Sequence, residues 1–275
     1  MTDPLIDPAE LAEILDTAVI LDATYYLPPD PERSRNDVAS LRIPGAVLFE
    51  IDEIADTSAP LAHMMPDAER FAEAMAELGI DGSRPVVIYD RSGMHFSAPR
   101  VWYTLSLFGV PDVRVLNGGL AAWQAGGHET ASGALPEPAP VARRGWTPDL
   151  SRVLDGKAMA DTVARGGTPI LDARPEGRFH GRDPEPRAGL TSGHMPGASS
   201  LPFTELTGPD GRFLDAPALR EKIGAGPASG TIVTCGSGMT ACTLALGLAR
   251  IGRDATLYDG SWAEWGSGLL GPINS

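Results

Sequence analysis

Four short stretches of this chain occur twice, in the same order, and no other feature restricts its fold as tightly. Val19-Ile-Leu-Asp-Ala23 returns as Pro169-Ile-Leu-Asp-Ala173, and Ile43-Pro-Gly-Ala46 as Met195-Pro-Gly-Ala198. Pro85-Val-Val-Ile-Tyr-Asp90 returns as Gly230-Thr-Ile-Val-Thr-Cys235, and Asn117-Gly-Gly-Leu-Ala-Ala-Trp123 as Asp259-Gly-Ser-Trp-Ala-Glu-Trp265. The offset drifts from 152 (Pro44 to Pro196) to 142 (Gly118 to Gly260), as loops of one copy shorten against the other. Such ordered self-similarity marks a duplicated domain. A chain of 275 residues has room for two domains of ordinary size. We place them at 5–125 and 155–272. The stretch 126–154 between them contains Pro136-Glu-Pro-Ala-Pro140, whose spaced prolines forbid a continuous helix and favour extended backbone, so it reads as a linker.

Inside each copy, short β-rich runs alternate with helical patterns. Strands are expected at 19–22, 46–49, 86–89 and 113–116, then at 170–172, 199–201, 232–234 and 255–258. Helices are expected at 68–78, 98–108, 217–223 and 242–250. Short strands bounded by Gly and Pro and separated by helices imply an α/β fold, each copy a mostly parallel sheet with helices on both faces. Ligands of such sheets bind beyond the carboxyl ends of the strands.

One of these strand ends carries a cysteine. Thr234-Cys-Gly-Ser-Gly-Met-Thr-Ala241 joins a buried-looking strand to an apolar helix, and Asp90 stands at the corresponding place in the first copy. An unpaired cysteine is ordinarily core filler, and Cys242, inside the helix, reads that way. Cys235 differs. Gly236, Ser237, Gly238 and Ala241 are small enough for successive backbone N–H groups to turn toward one point at a helix N-terminus. Those donors and the helix dipole favour a thiolate, which makes Cys235 a candidate nucleophile. A cysteine phosphatase loop would need an arginine to hold phosphate oxygens, and none follows Cys235. A Walker loop, a CxxC redox pair and metal-ligand spacing are also absent, so no metal, nucleotide or organic cofactor is expected.

Charge and composition narrow the partners. A formal net charge of −14 offers no general attraction for nucleic acid or anionic lipid. No apolar run approaches the ~18 residues of a membrane span. An anionic small molecule would need a local basic site against this field, which makes arginines near the loop informative. Two cysteines and an acidic N-terminal stretch fit a reducing, cytoplasmic setting.

With the repeats, the strand ending in Cys235 and the loop Cys-Gly-Ser-Gly-Met-Thr-Ala in view, the whole chain resembles a tandem-domain rhodanese sulfurtransferase. The stretches His63-Met-Met-Pro66, Phe96-Ser-Ala-Pro-Arg-Val-Trp102, Gly193-His-Met-Pro-Gly-Ala198 and Tyr258-Asp-Gly-Ser-Trp-Ala-Glu-Trp265 carry the same likeness. The resemblance implies an inactive first domain and a second domain whose Cys235 takes up sulfane sulfur as a persulfide. It implies a donor as well. Members that prefer thiosulfate carry basic residues after the cysteine, whereas those using 3-mercaptopyruvate carry Cys-Gly-Ser/Thr-Gly-Val-Thr, matched here except for Met239. The residues Gly236, Gly238, Met239 and Thr240 then line the substrate, with Arg178 and Arg187 holding its carboxylate and keto oxygen through their planar forks. The resemblance further implies a proton relay of Ser237, His63 and Asp52, which by themselves read as ordinary structural or surface residues. Arg174 and Arg182 stay solvated surface arginines in this reading. The expected acceptor is cyanide, a small thiol or reduced thioredoxin. Thiosulfate as main donor, and a non-catalytic sulfur-carrying or docking module, remain the alternatives.

Overall fold

The computed structural model describes residues 3–275. The chain divides into two units, each built on one five-stranded sheet. The first takes in the chain up to Ser58, Met65–Pro148 and Thr207–Phe213; the second takes in Ala59–Met64, Asp149–Leu206 and Leu214–Ser275. Strands β1 (Leu5–Ile6), β2 (Val19–Asp22), β3 (Val47–Leu48), β4 (Val86–Tyr89) and β5 (Val113–Leu116) form the first sheet in the order β1-β5-β4-β2-β3. Strands β6 (Val153–Leu154), β7 (Ile170–Asp172), β8 (Ala198–Ser200), β9 (Thr231–Thr234) and β10 (Ala255–Tyr258) form the second in the order β6-β10-β9-β7-β8. Place for place the two orders are the same, as the sequence repeat requires.

Every strand pairing is parallel. Parallel neighbours need crossover connections, and the helices supply them. Strands β2, β4 and β9 are buried at every residue, as strands covered on both faces must be. The helix Ala241–Arg250, apolar nearly all round, is buried from Ala241 to Leu248. Aspartates set several helix starts: Asp67, Asp155 and Asp215 accept the N–H groups of Arg70, Ala158 and Ala218. On one side of the second sheet, Met159, Ile170, Met195, Ile232, Tyr258, Trp262 and Trp265 close into an apolar cluster.

The edge strands β1 and β6 were not expected. Each has two residues, too few to show an alternation, and is held in place by pairing with β5 or β10. The stretch expected as a linker also differs. Through Pro148 it belongs to the first unit. The Arg42 guanidinium donates to the carbonyls of Gly133 (3.0 Å) and Ala134 (2.8 Å), Val141 N–H to Ala76 O (3.0 Å), and Trp146 meets Phe71 edge-on. Its prolines keep it out of helix, but an extended backbone still seeks partners, and this one finds them.

Candidate active site

Strand β9 runs between β10 and β7, so its carboxyl end opens near the middle of the sheet. Cys235 follows its last residue, and the loop 235–240 leads into the helix Ala241–Arg250. The cysteine is held at both ends of its peptide. Its N–H donates to Ser261 Oγ (3.2 Å), and its carbonyl accepts from Trp262 N–H (2.9 Å). The Ser261 hydroxyl in turn donates to the Tyr258 carbonyl (2.9 Å). Burial, and next the neighbouring Glu264 carboxylate, push the Tyr258 hydroxyl far above the usual tyrosine range, so it remains a donor to Glu264 (2.9 Å).

The loop is rich in unspent donors. Among the described residues, the N–H groups of Gly236, Ser237, Met239, Thr240 and Ala241 have no protein acceptor. Buried amides ordinarily find one. Cys235 is 1% exposed, and Ser237, Met239 and Thr240 are buried, whereas Gly236 is half-buried. Gly236 is thus the open side of the loop. Met239 packs in the core, so what it offers a ligand is backbone. Cys242 is core as expected, its thiol donating to Gly238 O (3.4 Å).

The first unit shows what such a loop holds. There Asp90 takes the place of Cys235, and its carboxylate accepts the N–H groups of Ser92 (2.9 Å), Ser97 (3.0 Å) and Ala98 (2.9 Å). The Ser92 hydroxyl receives those of Met94 and Phe96. That loop is closed on an anion of its own. In the second unit the same strand end presents sulfur among open amides, an arrangement suited to an anionic sulfur and its ligands.

Of the two arginines expected to hold substrate, one lies beside the loop. Arg187 Nη1 lies 3.7 Å from where a Cβ on Gly236 would stand. Among the described residues Arg187 has no ion-pair or hydrogen-bond partner. Arg178, partly exposed, lies 3.5 Å from Glu185. Arg174 departs from expectation: it is fully buried, not a surface arginine. Its guanidinium donates to both Asp172 oxygens, to Glu185 and to the Gly193 carbonyl, and covers the Trp262 ring at 3.9 Å. Arg182 is an exposed arginine, 3.7 Å from Glu176.

The expected relay residues are distributed between units. His63, buried and with a positive φ of 66°, belongs to the second unit through Ala59–Met64, as does Ser237. Asp52 belongs to the first, where it accepts the Tyr25 hydroxyl (2.8 Å). Among the described residues, no group of three or more His, Cys, Asp or Glu side chains is placed to hold a metal ion. Sequence reasoning assigned no role to Ser261 or Glu185. Ser261 lay inside a repeated motif opposite Gly119, and that replacement of a glycine was the available signal. Glu185 stood between two arginines already singled out.

Comparisons with known proteins agree on the family. The rhodanese-like domain matches residues 7–126 and again 155–267. The human 3-mercaptopyruvate sulfurtransferase is 37% identical over 90% of this chain and 84% of its own length. The Arabidopsis thaliana mitochondrial thiosulfate/3-mercaptopyruvate sulfurtransferase 1 is 35% identical over 93% of this chain and 73% of its own. Among solved structures, SseA from Escherichia coli, a 3-mercaptopyruvate sulfotransferase of rhodanese fold, superposes with a TM-score of 0.80. It is 34% identical, over 96% of this chain and 100% of SseA.

Proposed function

Since the chain belongs to the family of rhodanese-like domains, we propose that it is a sulfurtransferase whose Cys235 takes sulfur from 3-mercaptopyruvate and releases pyruvate. One observation carries this reading. The strand-end loop that closes on Asp90 in the first unit presents a cysteine among open amides in the second, with the Arg187 guanidinium, unpaired among the described residues, beside Gly236.

The chemistry follows from these groups. The Cys235 thiolate forms a bond to the donor sulfur, and the donor's carbon–sulfur bond breaks. Its electron pair passes to carbon as the enolate of pyruvate, which takes up one proton. The cysteine is left as a persulfide, and no external oxidant is consumed. A second nucleophile (cyanide, a small thiol or reduced thioredoxin) then attacks the outer sulfur, and Cys235 leaves as thiolate. The loop amides stabilise anionic sulfur in both steps, as an oxyanion hole does oxygen. Arg187 and Arg178 hold the carboxylate and keto oxygen by their forked donors. Ser237 and His63 manage the proton that the enolate requires.

The loop has no lysine or arginine after Cys235 to grip a dianion, which favours 3-mercaptopyruvate over thiosulfate. The test is pyruvate release and intact mass. The protein should gain one sulfur from 3-mercaptopyruvate and lose it to cyanide, and Cys235→Ser should abolish both. Undiminished turnover by Cys235→Ser ends the proposal. Catalytic efficiency should be greater with 3-mercaptopyruvate than with thiosulfate, and the reverse order would transfer the assignment to thiosulfate.

A further inference from the structure

A chain of buried charges ends on Arg178. Arg174, 1% exposed, is paired with Asp172 (Nη2–Oδ2 2.7 Å) and with Glu185 (Nη1–Oε1 2.8 Å). The Glu185 side chain, 2% exposed, turns its other oxygen to Arg178 (3.5 Å). Asp172, Arg174, Glu185 and Arg178 therefore cancel charge for charge. Arg187, beside Gly236, has no carboxylate partner among the described residues and supplies the one uncompensated positive charge. Water screens the exposed pair Arg182–Glu176, but it cannot screen a carboxylate as buried as Glu185 to the same degree. The network is also tied to the sulfur's own support, because the ring under Arg174 is Trp262, whose N–H holds the Cys235 carbonyl.

Resting on the donor reading above, we propose that Glu185 is a specificity-determining residue that sets the charge of the donor. By neutralising Arg178 it leaves the arginine pair with a single net positive charge, matched to a monoanionic α-keto carboxylate and mismatched to a dianion such as thiosulfate. Coulomb attraction scales with ligand charge. Removing the Glu185 charge therefore favours a dianion twice as much as a monoanion, and the ratio of the two efficiencies reports the difference.

The experiment compares kcat/KM for thiosulfate and for 3-mercaptopyruvate in the parent, Glu185→Gln and Glu185→Asp. Glu185→Gln should raise the thiosulfate-to-mercaptopyruvate ratio about tenfold, an effect of one added charge at partly screened range. Glu185→Asp keeps the charge and should hold the ratio within about twofold of the parent, whatever it does to either value alone. Equal losses with both donors in Glu185→Gln would make Glu185 a mere support for Arg174 and overturn the proposal. So would a tenfold shift in Glu185→Asp. Should Glu185→Gln fail to fold, Ala188→Lys adds a charge at an exposed position beside Arg187. It should raise the ratio about threefold, and an unmoved ratio there also counts against the proposal. A parent that makes no pyruvate from 3-mercaptopyruvate would defeat the donor reading itself, a result distinct from any of these.

Discussion

Ser261 stands at a φ of 49°, a left-handed conformation that a residue with a side chain adopts at a cost of order 1 kcal/mol. Its counterpart in the first unit, Gly119, has a φ of 58°, and a Cβ there would stand 2.5 Å from Asp90 O. The backbone turn is thus common to both copies, and the serine is what the second adds. Its hydroxyl is fully used, accepting from Cys235 N–H and the Thr234 hydroxyl and donating to Tyr258 O. We read the strain as tolerated because that hydroxyl fixes the peptide from which the Cys235 sulfur projects. Ser261→Gly relieves the strain and loses the hydroxyl, whereas Ser261→Ala keeps the strain and loses the hydroxyl. Both should slow persulfide formation about tenfold in single turnover, since loose placement of a nucleophile is costly. In urea unfolding only Ser261→Ala should be the weaker of the two, by about 1 kcal/mol. If sulfur uptake follows stability instead, with the glycine variant as fast as the parent, Ser261 is structural alone.

At the scale of elements, the two strand-end loops solve one problem in opposite ways. In the first unit Asp90 satisfies the amides of Ser92, Ser97 and Ala98, and Arg91 leaves the loop to pair with Asp22 at the end of β2 (2.9 Å). In the second unit the matching aspartate, Asp172, is paired by Arg174 from its own strand end. The position after the cysteine is then free to be Gly236, the open side of the loop. Asp90→Ala strands two buried N–H groups, those of Ser97 and Ala98, each costing on the order of 1 kcal/mol or more. It should lower unfolding stability by about 2 kcal/mol in urea, read at constant slope. The sulfur taken up should remain one atom per chain, carried by Cys235. A second site of sulfur loading, or a stability unchanged by the substitution, would contradict this account of the loop. The sequence made this element legible, because a cysteine among small residues after an apolar run has few other readings. It could not make Arg174 legible, since burial of an arginine depends on carboxylates brought to it by folding: Asp172 is near in sequence, but Glu185 is not.

For the whole molecule, repetition of short motifs was enough to read two parallel α/β units, since each motif marks a strand end or turn that recurs in both sheets. Edge strands of two residues carry no period, and they went unseen. Nor did the repeat reveal that the units are discontinuous. Ala59–Met64, with His63, belongs to the second unit, and Thr207–Phe213 belongs to the first. A six- or seven-residue excursion leaves no trace in composition or period, because its place is fixed by a few contacts of high sequence separation. In the first unit Phe213 N–H donates to Asn117 Oδ1 (2.9 Å), and its ring lies 4.8 Å from that of His95. Cutting the chain after Pro148 therefore removes a part from each unit. The piece 149–275 has Cys235, Arg178 and Arg187 but lacks His63, and the piece 3–148 lacks the segment that satisfies Asn117. Each piece alone should unfold at lower urea than the intact protein. The piece with Cys235 should retain less than about a tenth of pyruvate release, a loss expected when a proton-handling group is taken away. Mixing the two should restore both properties as the missing segments return. Full activity in 149–275 alone would show that its sheet and loop suffice, and that His63 has no part in the proton step.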